Sequence, residues 1–117
     1  MNIARRYLAA VIGAAMLTGC TTISENEYKN AQAIIGGSPA IKRSVITGCI
    51  ARQAARPLVE RKSESTIMNA SLASFPTTFC NRLWNAFAKG RITYADYQDL
   101  SSSTADHSKV IKIMQGR

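Results

Sequence analysis

The sequence has few of the residue types that build active sites and metal centres. Its 117 residues include one histidine, three cysteines and seven acidic residues. The histidine, His107, lies in the serine-rich stretch "SSSTADHSKV", which predicts a solvated loop rather than an oriented general base. No glycine-rich phosphate loop and no metal-ligand spacing is present. We therefore expect no catalytic residue, no metal and no cofactor, and hence a protein that is not an enzyme.

The N-terminus has the layout of a secretory signal peptide. Arg5 and Arg6 form a basic start without acidic residues, and the apolar run Leu8–Leu17 follows. An apolar run of this length is too short to span a bilayer but suits the core of a signal peptide. The chain is therefore expected to be exported.

The segment "LTGC", which ends at Cys20, resembles a bacterial lipobox. The resemblance implies that residues 1–19 are removed, that Cys20 carries a diacylglycerol and that the new amino terminus is usually acylated too. Two or more chains give stable membrane anchoring. An ordinary signal with a chance cysteine and an uncleaved anchor remain alternatives. "ARRYLA" also partly resembles a twin-arginine signal.

Location follows from the residue after the modified cysteine. In enteric-type lipoproteins an aspartate at that position retains the protein in the inner membrane, whereas Thr21 stands there in this chain. The resemblance therefore implies a lipid-anchored protein of the cell envelope, on the outer membrane and facing the periplasm, with the inner membrane as the alternative.

The remaining 98 residues fit one domain at most. Residues 20–37 begin polar and end in a glycine pair, which predicts a flexible tether behind the lipid. Residues 38–100 are expected to form a small helical domain. Residues 101–117 are expected to form a flexible tail with a short terminal element, "VIKIMQGR", that is available for docking.

Two main helices are predicted within residues 38–100. The first begins at Ser38 and Pro39, a favourable N-cap and first helical residue, and is stopped by Pro57. The second carries a wide apolar stripe and ends near Gly90. The stripe predicts core rather than a cofactor site; it consists of Phe79, Cys80, Leu83, Trp84 and Phe87.

Two shorter elements accompany them. Thr93 and Asp96 are spaced as a capping box, which predicts a short helix from Tyr94 to about Leu100. A further short helix within Thr66–Ala73 is expected. The stretch after Gly90 also resembles the exit half of an EF-hand, but Phe87 and Lys89 would then occupy ligand positions, and neither side chain can coordinate calcium.

The two other cysteines, Cys49 and Cys80, are expected to form a disulfide. Export places the domain in an oxidising compartment, and a lipidated Cys20 leaves a single pairing. Both lie in the predicted apolar stripes, 31 residues apart. Two buried free thiols, or a redox pair, are the alternatives. The predicted fold class is therefore mainly α: a small hairpin or bundle of two main helices plus one or two short helices, stapled by one disulfide.

These features predict a membrane-anchored structural or interaction module with an envelope protein as its partner. Loss of Arg5 and Arg6 with the signal leaves 13 basic and seven acidic residues, a net charge of +6. This charge gives an alternative, a basic module that binds anionic envelope lipid or polymer. Export argues against nucleic acid as a partner. A second alternative is a small periplasmic chaperone, because size, export and the cysteine pair resemble small one-disulfide acid-stress proteins.

Overall fold

The structure, a computed structural model, describes residues 23–117. The predicted signal peptide and Cys20 lie outside the described residues. The described part of the chain consists of six α-helices and contains no strand. They are α1 (Glu25–Gly37), α2 (Pro39–Ala54), α3 (Leu58–Ile67), α4 (Phe75–Ala88), α5 (Tyr94–Asp99) and α6 (Ser108–Met114). The predicted mainly α fold is confirmed, with more helices than expected.

The local signals for α2 and α5 act as predicted. Ser38 accepts a hydrogen bond from the Ile41 N–H at 3.2 Å and so caps α2. Thr93 and Asp96 form the reciprocal capping box of α5: the Thr93 hydroxyl accepts from the Asp96 N–H at 3.2 Å, and the Asp96 carboxylate accepts from the Thr93 N–H at 2.8 Å. These bonds satisfy N–H groups that the first helical turn leaves without partners.

Helix α4 is the centre of the fold, because α1, α2 and α6 all pack against it. Its contact with α2 is the most extensive between any two helices of the described chain. The Cys49–Cys80 disulfide lies in that contact, with the two Cα atoms 5.9 Å apart and both residues buried. The predicted disulfide between the two main helices is confirmed.

The predicted flexible tether is wrong for most of its length, because Glu25–Gly37 is helix α1. Ser24 and Glu27 form a capping box at its start, and the helix packs against α2, α4 and α5. Tyr28 and Ile35 are buried in the core. Packing is tight at the far end, where a Cβ on Gly36 would lie 2.9 Å from the Ala88 carbonyl oxygen of α4.

The short helix expected at Thr66–Ala73 lies earlier in the chain, as α3. Pro57 stops α2, as predicted, but it also directly precedes α3. Arg56 binds Glu60 at 3.0 Å and Glu64 at 2.6 Å, which ties the connection to the first two turns of the new helix. The bonds to Glu64 and then Glu60 hold the pKa of Arg56 above its ordinary range.

The sequence predicts a flexible tail whose terminal element is available for docking, but the structure packs this element, as helix α6, into the core. Ile113 and Met114 of α6 are buried, and Met114 packs with Met68 and Phe75. Arg82 of α4 donates to the Met68 and Met114 carbonyl oxygens at 2.9 and 2.7 Å, so one guanidinium joins the C-terminal ends of α3 and α6.

Candidate functional site

The N-terminal helix brings together a cluster of aromatic rings that the sequence distributes over three elements. Tyr28 of α1 meets Phe87 of α4 edge-to-face at 5.1 Å, and Trp84 meets the same phenyl ring at 5.4 Å. Tyr97 of α5 lies 5.5 Å from Tyr28. Such pairs contribute about 0.5–1.5 kcal/mol each beyond the area they bury.

The phenol of Tyr28 fixes the position of its ring in this cluster through a hydrogen bond. It donates a hydrogen bond of 2.5 Å to the Ile92 carbonyl oxygen, across 64 residues of sequence. Burial, and to a lesser degree the charge of Asp96, raise the pKa of Tyr28. The phenol therefore stays a neutral donor at all physiological pH values.

A cavity of about 310 Å³ lies beside these rings. We call it the aromatic cavity; its lining residues include Tyr28, Trp84, Phe87 and Tyr97. Within residues 23–117 no nitrogen or oxygen atom contributes to the wall. A cavity of this size and composition is suited to an apolar ligand or apolar side chain.

Ile23, the first described residue, lines the aromatic cavity. The two most exposed lining residues are Ile23 and Leu100, at 39% and 52%, and we define the mouth of the cavity by them. The Tyr94 hydroxyl donates to the Ile23 carbonyl oxygen at 3.0 Å and holds the chain there. Cys20, the predicted lipidation site, is three residues before Ile23 and lies outside the described residues.

Four of the arginines that contribute to the net positive charge bind oxygen atoms of the protein itself. Arg56 binds two glutamates, Arg61 donates to the Arg56 carbonyl oxygen at 2.8 Å, and Arg82 bridges two helix ends. Arg91 donates to the Arg117 carbonyl oxygen at 2.7 Å. These four guanidinium groups are therefore held in place by oxygen atoms of the protein.

One concave surface of about 580 Å³ nevertheless gathers cations. We call it the basic groove, formed by Arg91, Lys109, Lys112 and Arg117. Lys109 is paired with Asp96 at 2.6 Å, and this ion pair lowers the pKa of the Asp96 carboxyl. The groove was not apparent in the sequence, because Arg91 follows α4 while its other cations belong to α6 and the residues after it.

In the part of the chain that the structure describes, no three histidine, cysteine, aspartate or glutamate residues come close enough together to hold a metal ion. His107 precedes α6 and contacts the Asp99 carbonyl oxygen at 2.9 Å.

No helix between residues 23 and 117 combines the length and the apolar character needed to cross a membrane. Comparisons with protein-family models, with curated proteins and with solved structures found no match.

Sequence reasoning placed Trp84 and Phe87 in the core but did not find the cavity that they line. Tyr28 was assigned to a tether, and Ile23 and Leu100 belong to segments with no apolar pattern. The Ser24–Glu27 capping box was the one signal that could have placed Tyr28 on a helix. No local signal could have placed Leu100 and Ile23 on the same cavity.

Proposed function

We propose that the protein is a lipid-anchored module of the bacterial cell envelope, held by a diacylglycerol on Cys20, that acts by binding another envelope protein close to the membrane surface. Besides the lipobox, one structural observation supports a position close to the membrane. The carbonyl oxygen of Ile23, three residues after Cys20, accepts a hydrogen bond from the Tyr94 hydroxyl and is thereby held to the domain. Three residues of extended chain span about 10 Å. A lipidated Cys20 would therefore keep the domain against the headgroups.

This short connection restricts the partner. A module on a long tether could reach across the periplasm, whereas this domain would remain within its own diameter of one leaflet. The protein it binds is therefore expected to have a surface at the same membrane. The outer membrane, facing the periplasm, is the proposed location, on the basis of Thr21.

The anchor is tested first. Cys20→Ala should abolish incorporation of labelled fatty acid and block removal of the signal peptide, because the sulfur that receives the diacylglycerol is gone. Thr21→Ala is the matched control and should remain labelled and cleaved. Fatty-acid labelling of the Cys20→Ala protein at the level of the control would refute the anchor. Thr21→Asp should move the protein toward the inner membrane in fractionated cells.

The interaction role is tested by crosslinking in cells. Photoreactive residues at exposed positions such as Val59 and Ile34, which are 79% and 55% exposed, should capture the same envelope protein reproducibly. Capture should persist at high ionic strength if the contact is mainly apolar. Crosslinks to lipid alone would contradict the interaction role while leaving the anchor intact.

The basic groove supports a second candidate function, binding of anionic lipid headgroups. Each exposed cation near an anionic membrane contributes about 1 kcal/mol. The pair Lys112→Gln and Arg117→Gln should therefore weaken binding of residues 23–117 to phosphatidylglycerol vesicles by roughly 30-fold at low salt. Arg43→Gln with Lys62→Gln, outside the groove, is the control. Equal weakening by both pairs would show that total charge, rather than the groove, attracts the vesicles.

A further inference from the structure

We propose that the aromatic cavity holds one acyl chain of the lipid attached to Cys20 of the same molecule. The inference rests on the lipidation proposed above and adds where one of the chains lies. It assigns a role to a cavity that neither the anchor nor the interaction role uses.

The wall of the cavity selects the chemistry of its occupant. Tyr28, Trp84, Phe87 and Tyr97 line it, and no polar atom of residues 23–117 is exposed on the wall. Its volume of about 310 Å³ corresponds to roughly ten water molecules. Water inside would find no hydrogen-bond partners on the wall, so the space favours an apolar occupant. A saturated hydrocarbon chain needs no partner and can fill a cavity that lacks donors and acceptors.

The position of the mouth selects the source of that chain. Ile23 forms part of the mouth, and its carbonyl is held by the Tyr94 hydroxyl at 3.0 Å. Cys20 is three residues away, so a lipid on its sulfur starts within about 10 Å of the entrance. Attachment through so short a segment gives an effective concentration in the millimolar range or above. A free lipid or a second copy of the chain has no such advantage.

The exposed residues at the mouth are consistent with this occupant. Ile23 and Leu100 are 39% and 52% exposed. A chain that enters between them would cover apolar surface that is otherwise in contact with water. With one acyl chain in the domain and the others in the bilayer, the domain would be held at two points, which fixes its orientation on the membrane.

The test uses the full-length protein made in cells that are fed a fatty acid with a diazirine on its chain. After illumination, the proteolysed protein is analysed by mass spectrometry. We expect the lipidated Cys20 peptide to be crosslinked to the peptides that contain Trp84 or Tyr97. Cells that produce a mixture of isotope-labelled and unlabelled protein show whether both peptides come from one molecule.

Two variants of the same helix provide the matched comparison. Ala31 lines the cavity, so Ala31→Phe should fill it and lower the yield of the crosslink about tenfold. Ala33 is exposed on α1, and Ala33→Phe should leave the yield unchanged. Leu100→Glu places a charge at the mouth without altering the buried core, and it should also lower the yield. Formation of the Cys49–Cys80 disulfide, read from the intact mass, shows that each variant has folded.

The outcomes separate the two proposals. A Cys20 peptide without lipid would refute the anchor and this inference together. A lipidated Cys20 peptide crosslinked only to phospholipid, or to the cavity of a second molecule, would refute this inference and leave the anchor standing. An equal yield for Ala31→Phe and Ala33→Phe would also refute it.

Discussion

Replacement of Gly36 by alanine tests the contact that makes α1 part of the domain. The added Cβ would lie 2.9 Å from the Ala88 carbonyl oxygen, closer than carbon and oxygen atoms pack in protein interiors. The obstacle is main chain, so no side-chain rotation can relieve it. Helix α1 must shift away from α4, and the contacts of Tyr28 and Ile35 must loosen with it.

The magnitude follows from two opposing effects. Alanine in place of glycine stabilises a helix interior by about 0.5–1 kcal/mol. Overpacking against a fixed neighbour destabilises by about 1–3 kcal/mol. We expect Gly36→Ala to lower the free energy of unfolding by about 1 kcal/mol, which for a domain of this size lowers the melting temperature by about 4–8 °C.

The adjacent residue is a matched control. No atom lies within 4 Å of a Cβ built on Gly37, so Gly37→Ala experiences the helix effect alone and should be neutral or slightly stabilising. Urea denaturation of both variants with the disulfide intact, followed by circular dichroism and by Trp84 fluorescence, measures the difference. If Gly36→Ala were as stable as Gly37→Ala, α1 would not approach α4 as the structure has it.

Three further perturbations test the rest of the core and its cap. Replacing Cys49 and Cys80 together by alanine should lower the free energy of unfolding by about 3–4 kcal/mol, and chemical reduction of the wild type should reproduce most of that loss in urea denaturation. The bond to Lys109 lowers the pKa of Asp96. The ionised Asp96 therefore stabilises the folded state above about pH 4, and this stabilisation is lost as the pH falls through the lowered pKa. Asp96→Asn should therefore flatten the decline in melting temperature below pH 4, and an unchanged decline would contradict the role of the pair. Arg82→Ala should lower the free energy of unfolding by about 2 kcal/mol, because the carbonyl groups at the ends of α3 and α6 lose a charged donor. A decrease no larger than that caused by replacing an exposed arginine with alanine would refute the bridge.

The parts of the fold that were predictable from the sequence are those specified by local chemistry. Ser38 and Pro39 identify the start of α2, Gly90 follows the end of α4 with a φ of 75°, and Thr93 with Asp96 begins α5. Each signal acts over three or four residues, so it can be read without knowledge of the tertiary structure. The disulfide was predictable because the lipidation expected at Cys20 leaves one pairing of the three cysteines.

The parts that were missed depend on packing between distant segments. Helix α1 has only Tyr28 and Ile35 as buried apolar residues, a stripe too sparse to stand out beside its charged neighbours. Helix α6 is seven residues long, and its burial depends on the Met68–Phe75 cluster and on Arg82. The aromatic cavity combines both difficulties, because α1 and the end of α5 must first be in place. Such sites are not encoded in any one segment.

The hydrogen bond from Tyr28 to Ile92 also constrains the order in which the molecule assembles. Helix α1 is synthesised before its partners, because Gln32 donates to the Phe87 carbonyl oxygen 55 residues later and Tyr28 donates to the Ile92 carbonyl oxygen 64 residues later. Helix α1 can therefore pack against α4 only after these residues have been synthesised, whereas α2 and α4 are joined by a shorter loop and can pair earlier. A helix with a broad apolar face would risk aggregation during that delay. Helix α1 has a sparse apolar stripe, which made it hard to predict from the sequence. For the same reason, α1 exposes little apolar surface on the nascent chain before its partners are present.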